Sequence, residues 1–356
     1  MRAGAYRKPW CRDGHKESEA HPPMESTSGH TAPSATSSAQ AIARVREVAE
    51  RVRANVSRVI VGKEDVIDLL IVAILSEGHV LIEDVPGMGK TIMARALARS
   101  ISSSFARVQG TPDLLPSDII GISYYNQRQG AFEFRRGPIF SNIVLVDEIN
   151  RATPRTQSAL LEAMQERQVT VDVETMPLTS PFLVVATQNP IELEGTFPLP
   201  EAQLDRFLLR LRVTYPTRDE ELSMLYRFKD SQPLDTLQPV VTGDELVALF
   251  PTVHAVRVSE PVARYLLDVI HATRDYPTMR LGASPRASLA LFRASQALAA
   301  MQGRDYVKPD DIKRLAVPAL AHRLLLSPTQ MTYQTNDTDR LLHEIVESVP
   351  APVERI

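Results

Sequence analysis

Ile42, Val45, Ala49, Val52, Val56 and Val59 recur at steps of three and four, which puts one apolar stripe on a helix beginning near Gln40. Val61-Gly62 breaks it. A second helix from about Glu64 carries Ile67, Leu70, Ile71, Ile74 and Leu75 on a wide apolar face and stops at Gly78, the signature of a helix buried against a sheet. Five short apolar runs follow, at 80–84, 105–109, 143–147, 182–186 and 207–213, separated by helical or irregular stretches. Strands alternating with helices predict an α/β fold with a parallel sheet. Ligands of such sheets sit beyond the C-terminal strand ends, so the polar residues closing each run are the ones to inspect.

Two stretches interrupt this alternation. Ile119–Tyr125 and Ala131–Phe134 flank Asn126-Gln-Arg-Gln-Gly130 and predict a hairpin with a five-residue loop. Val169 to Glu174 alternates apolar and polar and predicts one strand, returning through Met176-Pro-Leu-Thr. From about Pro216 the pattern predicts helices only. Thr217-x-x-Glu220 is a capping box, Ser259-Glu-Pro261 and Ser284-Pro285-Arg286 are N-terminal starts, and Lys308-Pro-Asp-Asp311 opens a fourth helix. The expected organisation is a disordered tail over 1–40, an α/β core over 41–215, a helical domain over 216–345 and a loose end over 346–356.

Composition narrows the function classes. A chain of 356 residues, 44% hydrophobic, is long enough for two domains. A formal net charge of -3 gives no electrostatic reason to expect nucleic acid. Cys11 is the only cysteine, so no internal disulfide or thiolate metal site is available. No apolar run approaches the roughly 18–20 residues of a membrane helix, and the start lacks a secretory h-region, so direct membrane insertion is not expected and the location expected is cytoplasmic. His15, His21 and His30 are scattered in the tail with nothing to hold them together as ligands.

The chemistry begins after the first apolar run, at Glu83-Asp84-Val85-Pro86-Gly87-Met88-Gly89-Lys90-Thr91, which leads directly into a helical pattern. A strand, a glycine-rich turn and a helix opening on Lys-Thr cradle a nucleoside triphosphate. Amides of Gly87–Lys90, after Pro86, and of the helix start face the phosphates, Lys90 reaches the β/γ oxygens, and the Thr91 hydroxyl suits Mg²⁺. Asp84 departs from the motif, which asks for glycine there. The run Ile143-Val-Leu-Val ends in Asp147-Glu148, where phosphoryl transfer to water calls for an acid on the metal and a second acid on the water. The fourth run ends in Thr187-Gln188-Asn189, with Asn189 suited to the water or γ-phosphate and Gln188 as runner-up. Arg206 precedes the fifth run and Arg286 opens a helix of the second domain. Either guanidinium, supplied by a neighbouring subunit, suits a transition state carrying spread negative charge.

In this order the motifs resemble those of MoxR-family AAA+ ATPases, from about Gln40 to Arg340. The resemblance rests on Gly78 to Thr91, Thr111-Pro-Asp-Leu-Leu-Pro-Ser-Asp118, Asp147-Glu-Ile-Asn-Arg-Ala152, Ala186-Thr-Gln-Asn-Pro190 and Pro198 to Phe207, closed by Ser284-Pro-Arg286. It implies an AAA+ core with a helical lid, Lys90-Thr91 as Walker A, Asp147-Glu148 as Walker B, Asn189 as sensor 1, Arg206 as arginine finger and Arg286 as sensor 2. It also implies that Val61-Gly62 lies by the adenine and that the hairpins are the helix-2 and pre-sensor-1 insertions. ATP and Mg²⁺ are the implied cofactors. A hexameric homo-oligomer acting as a chaperone on client proteins, some carrying von Willebrand factor A domains, is the implied biology. An ATP-gated assembly scaffold with little turnover is the alternative, and a nucleic-acid motor a more distant one.

Overall fold

The computed structural model describes residues 35–83, 87–171, 174–189, 195–229, 232–327 and 337–352. The expected tail through residue 34, together with Asp84, Pro86 and the last four residues, lies outside them. From Ala35 onward the chain is one compact unit. Its first helix, α1 (Ala35–Ser57), begins inside the stretch expected to be tail, because the alanine- and serine-rich start extends the helix without needing an apolar face. Helix α2 (Glu64–Leu75) is followed by β1 (Val80–Glu83) and α3 (Lys90–Ser100).

The central sheet has five parallel strands in the order β2-β5-β8-β1-β9: β2 (Phe105–Gln109), β5 (Ile143–Asp147), β8 (Leu183–Gln188), β1 and β9 (Leu209–Leu211). Strands β1, β5, β8 and β9 are buried on both faces, whereas the edge strand β2 buries only Val108. Val80, Ile82, Ile143 and Leu145 pack with α1, α2 and α3, while Leu81, Val144, Val146 and Val184 pack with Leu160, Leu161 and Met164 of α5 (Pro154–Glu166). That two-sided burial explains why the runs read as continuous apolar stretches rather than alternating ones.

Both hairpins form, with shifted bounds. Ile119 and Ile120 close a short helix, α4 (Pro116–Ile120), and the first hairpin pairs β3 (Gly121–Asn126) with β4 (Ala131–Arg136). Asp118 caps that helix by accepting from the Leu115 amide at 2.9 Å, which holds Ile119 in the core instead of in the ladder. The second pairs β6 (Gln168–Val171) with β7 (Glu174–Pro177), so Glu174 belongs to the return strand rather than the outgoing one.

After α6 (Glu201–Leu204) and β9, helix α7 (Arg218–Arg227) opens with the expected capping box: the Glu220 amide donates to Thr217 Oγ1 and the Thr217 amide to Glu220 Oε2. Three one-turn helices follow, α8 (Pro233–Thr236), α9 (Gly243–Val247) and α10 (Phe250–His254). The longer α11 (Glu260–Asp275), α12 (Pro285–Met301) and α13 (Pro309–Leu320) lead to α14 (Asp337–Ser348). This part is not purely helical: β10 (Met279–Leu281) pairs antiparallel with β11 (Leu325–Leu326). The stretch expected to be loose from 346 begins inside α14, where Val346 is buried, and its last four residues lie outside the described ones. Helix α12 packs on α1 and α2, so the helical part and the α1–α3 face of the sheet share one apolar core. Among the described residues no helix is long and apolar enough to cross a membrane.

Candidate active site

The β1–α3 turn sets the site's position. Gly87 and Gly89 both adopt positive φ (87° and 78°), conformations that side-chain-bearing residues rarely take, and a Cβ at either would meet nothing within 4 Å. The turn therefore presents bare backbone to open space, and α3 starts at Lys90 with its first amides directed into that space.

Opposite the turn, the parallel register of β2, β5 and β8 brings polar strand ends together. One cleft of about 310 Å³ is lined by Gly87–Ile92, by Arg107 and Gln109, by Asp147 and Glu148, and by Thr187–Asn189. The phosphate-loop residues, both acids and Asn189 thus converge, with Gln188 alongside. Asp147 is buried; Arg107 Nε donates to its Oδ2 at 2.6 Å and Thr187 Oγ1 to its Oδ1 at 3.3 Å. Glu148 is half-exposed and held differently. Its backbone is left-handed (φ 54°, ψ 52°), its amide donates to Thr187 Oγ1 at 2.9 Å, and Gln109 Nε2 donates to its Oε2 at 3.0 Å. Arg151 Nε lies 3.4 Å from the same oxygen. A non-glycine residue in that conformation costs about 1–3 kcal/mol, and strain of this kind collects where a side chain must be aimed.

A second cleft, about 350 Å³, adjoins the first through Gly87, Met88, Gly89 and Ile92. Val59, Ile60, Val61, Tyr215, Met224 and Phe228 give it an apolar lining fit for a planar base. Gly62, expected beside the base, sits between two residues that line this cleft; it has φ +68°, and a Cβ there would lie 1.8 Å from Glu220 Oε1. Its neighbours Val61 and Lys63 contribute the lining side chains.

Arg206 and Arg286 line neither of these clefts. They meet in a third, of about 730 Å³, between the α2–β1 connection, the end of α5 and one face of α12. Asp205 organises it. Ser284 Oγ, the N-cap of α12, donates to both Asp205 oxygens at 3.0 Å, Arg323 Nη1 donates at 2.9 Å, and Arg286 Nη1 stands 3.9 Å away. Burial lowers the Arg323 pKa to about 10 against the opposing pull of Asp205. Among the described residues no hydrogen bond or ion pair holds the Arg206 guanidinium.

A model of the ATPase family associated with various cellular activities (AAA) matches residues 79–209, and an AAA lid domain model matches 271–345. The uncharacterized protein YeaC of Bacillus subtilis is 51% identical over 301 residues, covering 85% of this chain and 94% of that protein. Chaperone MoxR1 of Mycobacterium tuberculosis is 40% identical over 98% of this chain and 91% of its own length. The chain belongs to the MoxR family of AAA+ ATPases. A crystal structure of a Cytophaga hutchinsonii protein, described provisionally as an ATPase, superposes with a TM-score of 0.83 at 38% identity, over 89% of this chain and 99% of that one.

The MoxR-type motifs account for Gly87, Met88, Gly89, Lys90, Thr91, Asp147, Glu148 and Asn189 in one cleft, with Pro86 outside the described residues. Sequence reasoning missed Arg107, Gln109 and Thr187. The first two are exposed polar residues at alternate positions of the edge strand β2, on one face of the strand at its C-terminal end, and that alternation was the available signal. The donor set also fits Mg²⁺. One hydroxyl, Thr91, and one buried carboxylate, Asp147, line the cleft, and Mg²⁺ is commonly held by one or two carboxylates with substrate phosphates and water rather than by an all-protein cage.

Proposed function

We propose that this protein is a Mg²⁺-dependent ATP hydrolase that works in a head-to-tail oligomer and uses turnover to remodel protein clients as a MoxR-type chaperone. The carrying observation is the separation of the clefts. The phosphate loop, both acids and Asn189 share one, whereas Arg206 and Arg286 share another on the same chain. Transition-state charge on a terminal phosphate calls for a guanidinium. The two arginines expected at the phosphate lie in the other cleft.

In this reading the apolar cleft takes the adenine, the Gly87–Lys90 backbone and Lys90 hold the phosphates, and Thr91 and Asp147 hold the metal, whose charge offsets that of the phosphates. Glu148, aimed by its left-handed backbone, accepts a proton from the attacking water, which Asn189 orients. Arg206 and Arg286 of an adjacent copy reach the terminal phosphate. Because Ser284 and Asp205 link the α12 start to the residue before Arg206, a change at that phosphate is felt by the helical part. The hairpin β3–β4 carries exposed Ile122, Tyr125 and Phe132, an apolar surface suited to a client. The name of the M. tuberculosis relative supports the chaperone role.

Glu148→Gln tests the water-activating assignment. It keeps the side chain's shape and removes the base, so ATP binding should persist while turnover falls on the order of 10²-fold or more. Binding measured with a labelled nucleotide and phosphate release measured at steady state separate the two. Near-normal phosphate release by this variant contradicts the reading, and tight binding without turnover in the wild type favours the scaffold alternative.

A further inference from the structure

Arg107 is placed where the cleft's metal chemistry would have to begin. It stands on β2 opposite Leu145 of β5, two residues before Gln109, so both side chains leave the same face of the strand beside Asp147 and Glu148. Its Nε makes a short charge-assisted bond to Asp147 Oδ2, and its Nη2 donates to Gln109 Oε1 at 3.2 Å. Gln109 in turn donates to Glu148. One guanidinium thus sits at the head of a chain that reaches both acids.

The two ends of the pair differ in freedom. The Asp147 side chain is 12% exposed while that of Arg107 is 52% exposed and lines the cleft together with Lys90 and Thr91. A carboxylate oxygen that accepts from a guanidinium at 2.6 Å has no room to bind a divalent cation through the same lone pairs, and two positive charges on one carboxylate repel. A triphosphate supplies what Arg107 would need in order to leave: a multiply charged acceptor whose oxygens the planar guanidinium grips bidentately.

We propose that Arg107 is a positioning residue that holds the Asp147 carboxylate closed to metal until nucleotide arrives, then transfers its guanidinium to the phosphates. The proposal rests on the reading of this cleft as a Mg²⁺–ATP site. It makes metal and nucleotide binding cooperative: Asp147 is released only when a phosphate takes Arg107 from it, and Gln109, losing its Arg107 partner, is then free to adjust Glu148.

The test uses the full-length chain and reads binding rather than turnover. Mn²⁺ alone is titrated and followed by electron paramagnetic resonance, and a non-hydrolysable ATP analogue is titrated separately without metal. Arg107→Gln should bind Mn²⁺ without nucleotide about tenfold tighter than wild type, because the competing charge is gone. The same variant should bind the analogue about tenfold weaker, the scale of a charge-assisted contact. Arg107→Lys, which keeps the charge and gives up the planar fork, should leave Mn²⁺ binding weak and weaken only the analogue. A residue with a merely structural role would shift both affinities in one direction. Equal Mn²⁺ affinities in wild type and Arg107→Gln, with the analogue bound by the wild type, overturn the proposal. Failure of the wild type to bind the analogue even with metal overturns the reading of the cleft itself.

Discussion

His79 shows how one side chain at a strand start fixes the layers around it. The ring is fully buried before β1. Its Nδ1 accepts from the Val184 amide at 3.0 Å and its Nε2 lies 3.0 Å from the Met164 carbonyl, an arrangement that needs the neutral ring with the proton on Nε2. Phe182 packs edge-on at 5.3 Å. Burial lowers the pKa from 6.5 to about 4. Below pH 6.5 the unfolded chain therefore takes up a proton that the folded chain refuses until about pH 4, and stability falls as pH drops through that window. The full shift corresponds to about 3 kcal/mol. His322, also buried and held well below its ordinary value by burial, acts in the same direction. Urea unfolding from pH 7 to pH 4 should show this loss, and His79→Gln, which keeps a donor and an acceptor but does not titrate, should flatten the profile by about that amount. An unchanged slope in the variant would show that the ring does not titrate as described.

Residues of this kind were silent in the sequence. That Lys90, Thr91, Asp147 and Glu148 would share one cleft was legible because it follows from local spacing, a turn before a helix and acids at a strand end. The role of His79 depends on partners about a hundred residues away, and that of Arg107 on the register of β2 against β5. Neither can be read from spacing.

At the scale of elements, the hydrophobic pattern located all five sheet strands and the main helices, the inner strands because burial on both faces leaves continuous apolar runs. It misplaced both hairpins by a few residues, since the exposed strands there carry weak patterning and the turn alone sets their register. It also missed how tightly the helical part is joined to the sheet. Asp205 accepts from Ser284 at the start of α12 and from Arg323, whose Nη2 also donates to the Phe207 carbonyl at 2.6 Å. Arg210 of β9 likewise pairs with Glu83 of β1 and with Asp339 of α14. Asp205→Ala would leave the buried Arg323 charge without its carboxylate, and losses of this kind run to about 3–5 kcal/mol. Arg323→Met removes the charge with its stem retained and should cost less. Denaturant unfolding of the two variants ranks them, and the reverse order would show that Asp205 is not the clamp.

At the scale of the molecule, the two clefts explain why a single chain is an incomplete catalyst in the proposed account. A surface bearing Arg206 and Arg286 that meets a different surface bearing the phosphate loop makes a heterologous contact, and repetition of such a contact closes into a ring when the rotation allows. Each active site would then draw Lys90, Asp147 and Glu148 from one copy and its arginines from the next.

The claim that the site is shared is tested most directly by mixing two inactive variants. Lys90→Ala loses the phosphate grip but keeps its arginines, and Arg206→Ala keeps an intact nucleotide cleft but contributes no guanidinium. Each alone should release phosphate at a small fraction of the wild-type rate. Co-assembled at a concentration where the oligomer forms, the pair should recover activity, because some contacts place the Arg206 of a Lys90→Ala copy against the intact cleft of an Arg206→Ala copy. A mixture that forms the oligomer yet stays as silent as either variant alone would contradict the account.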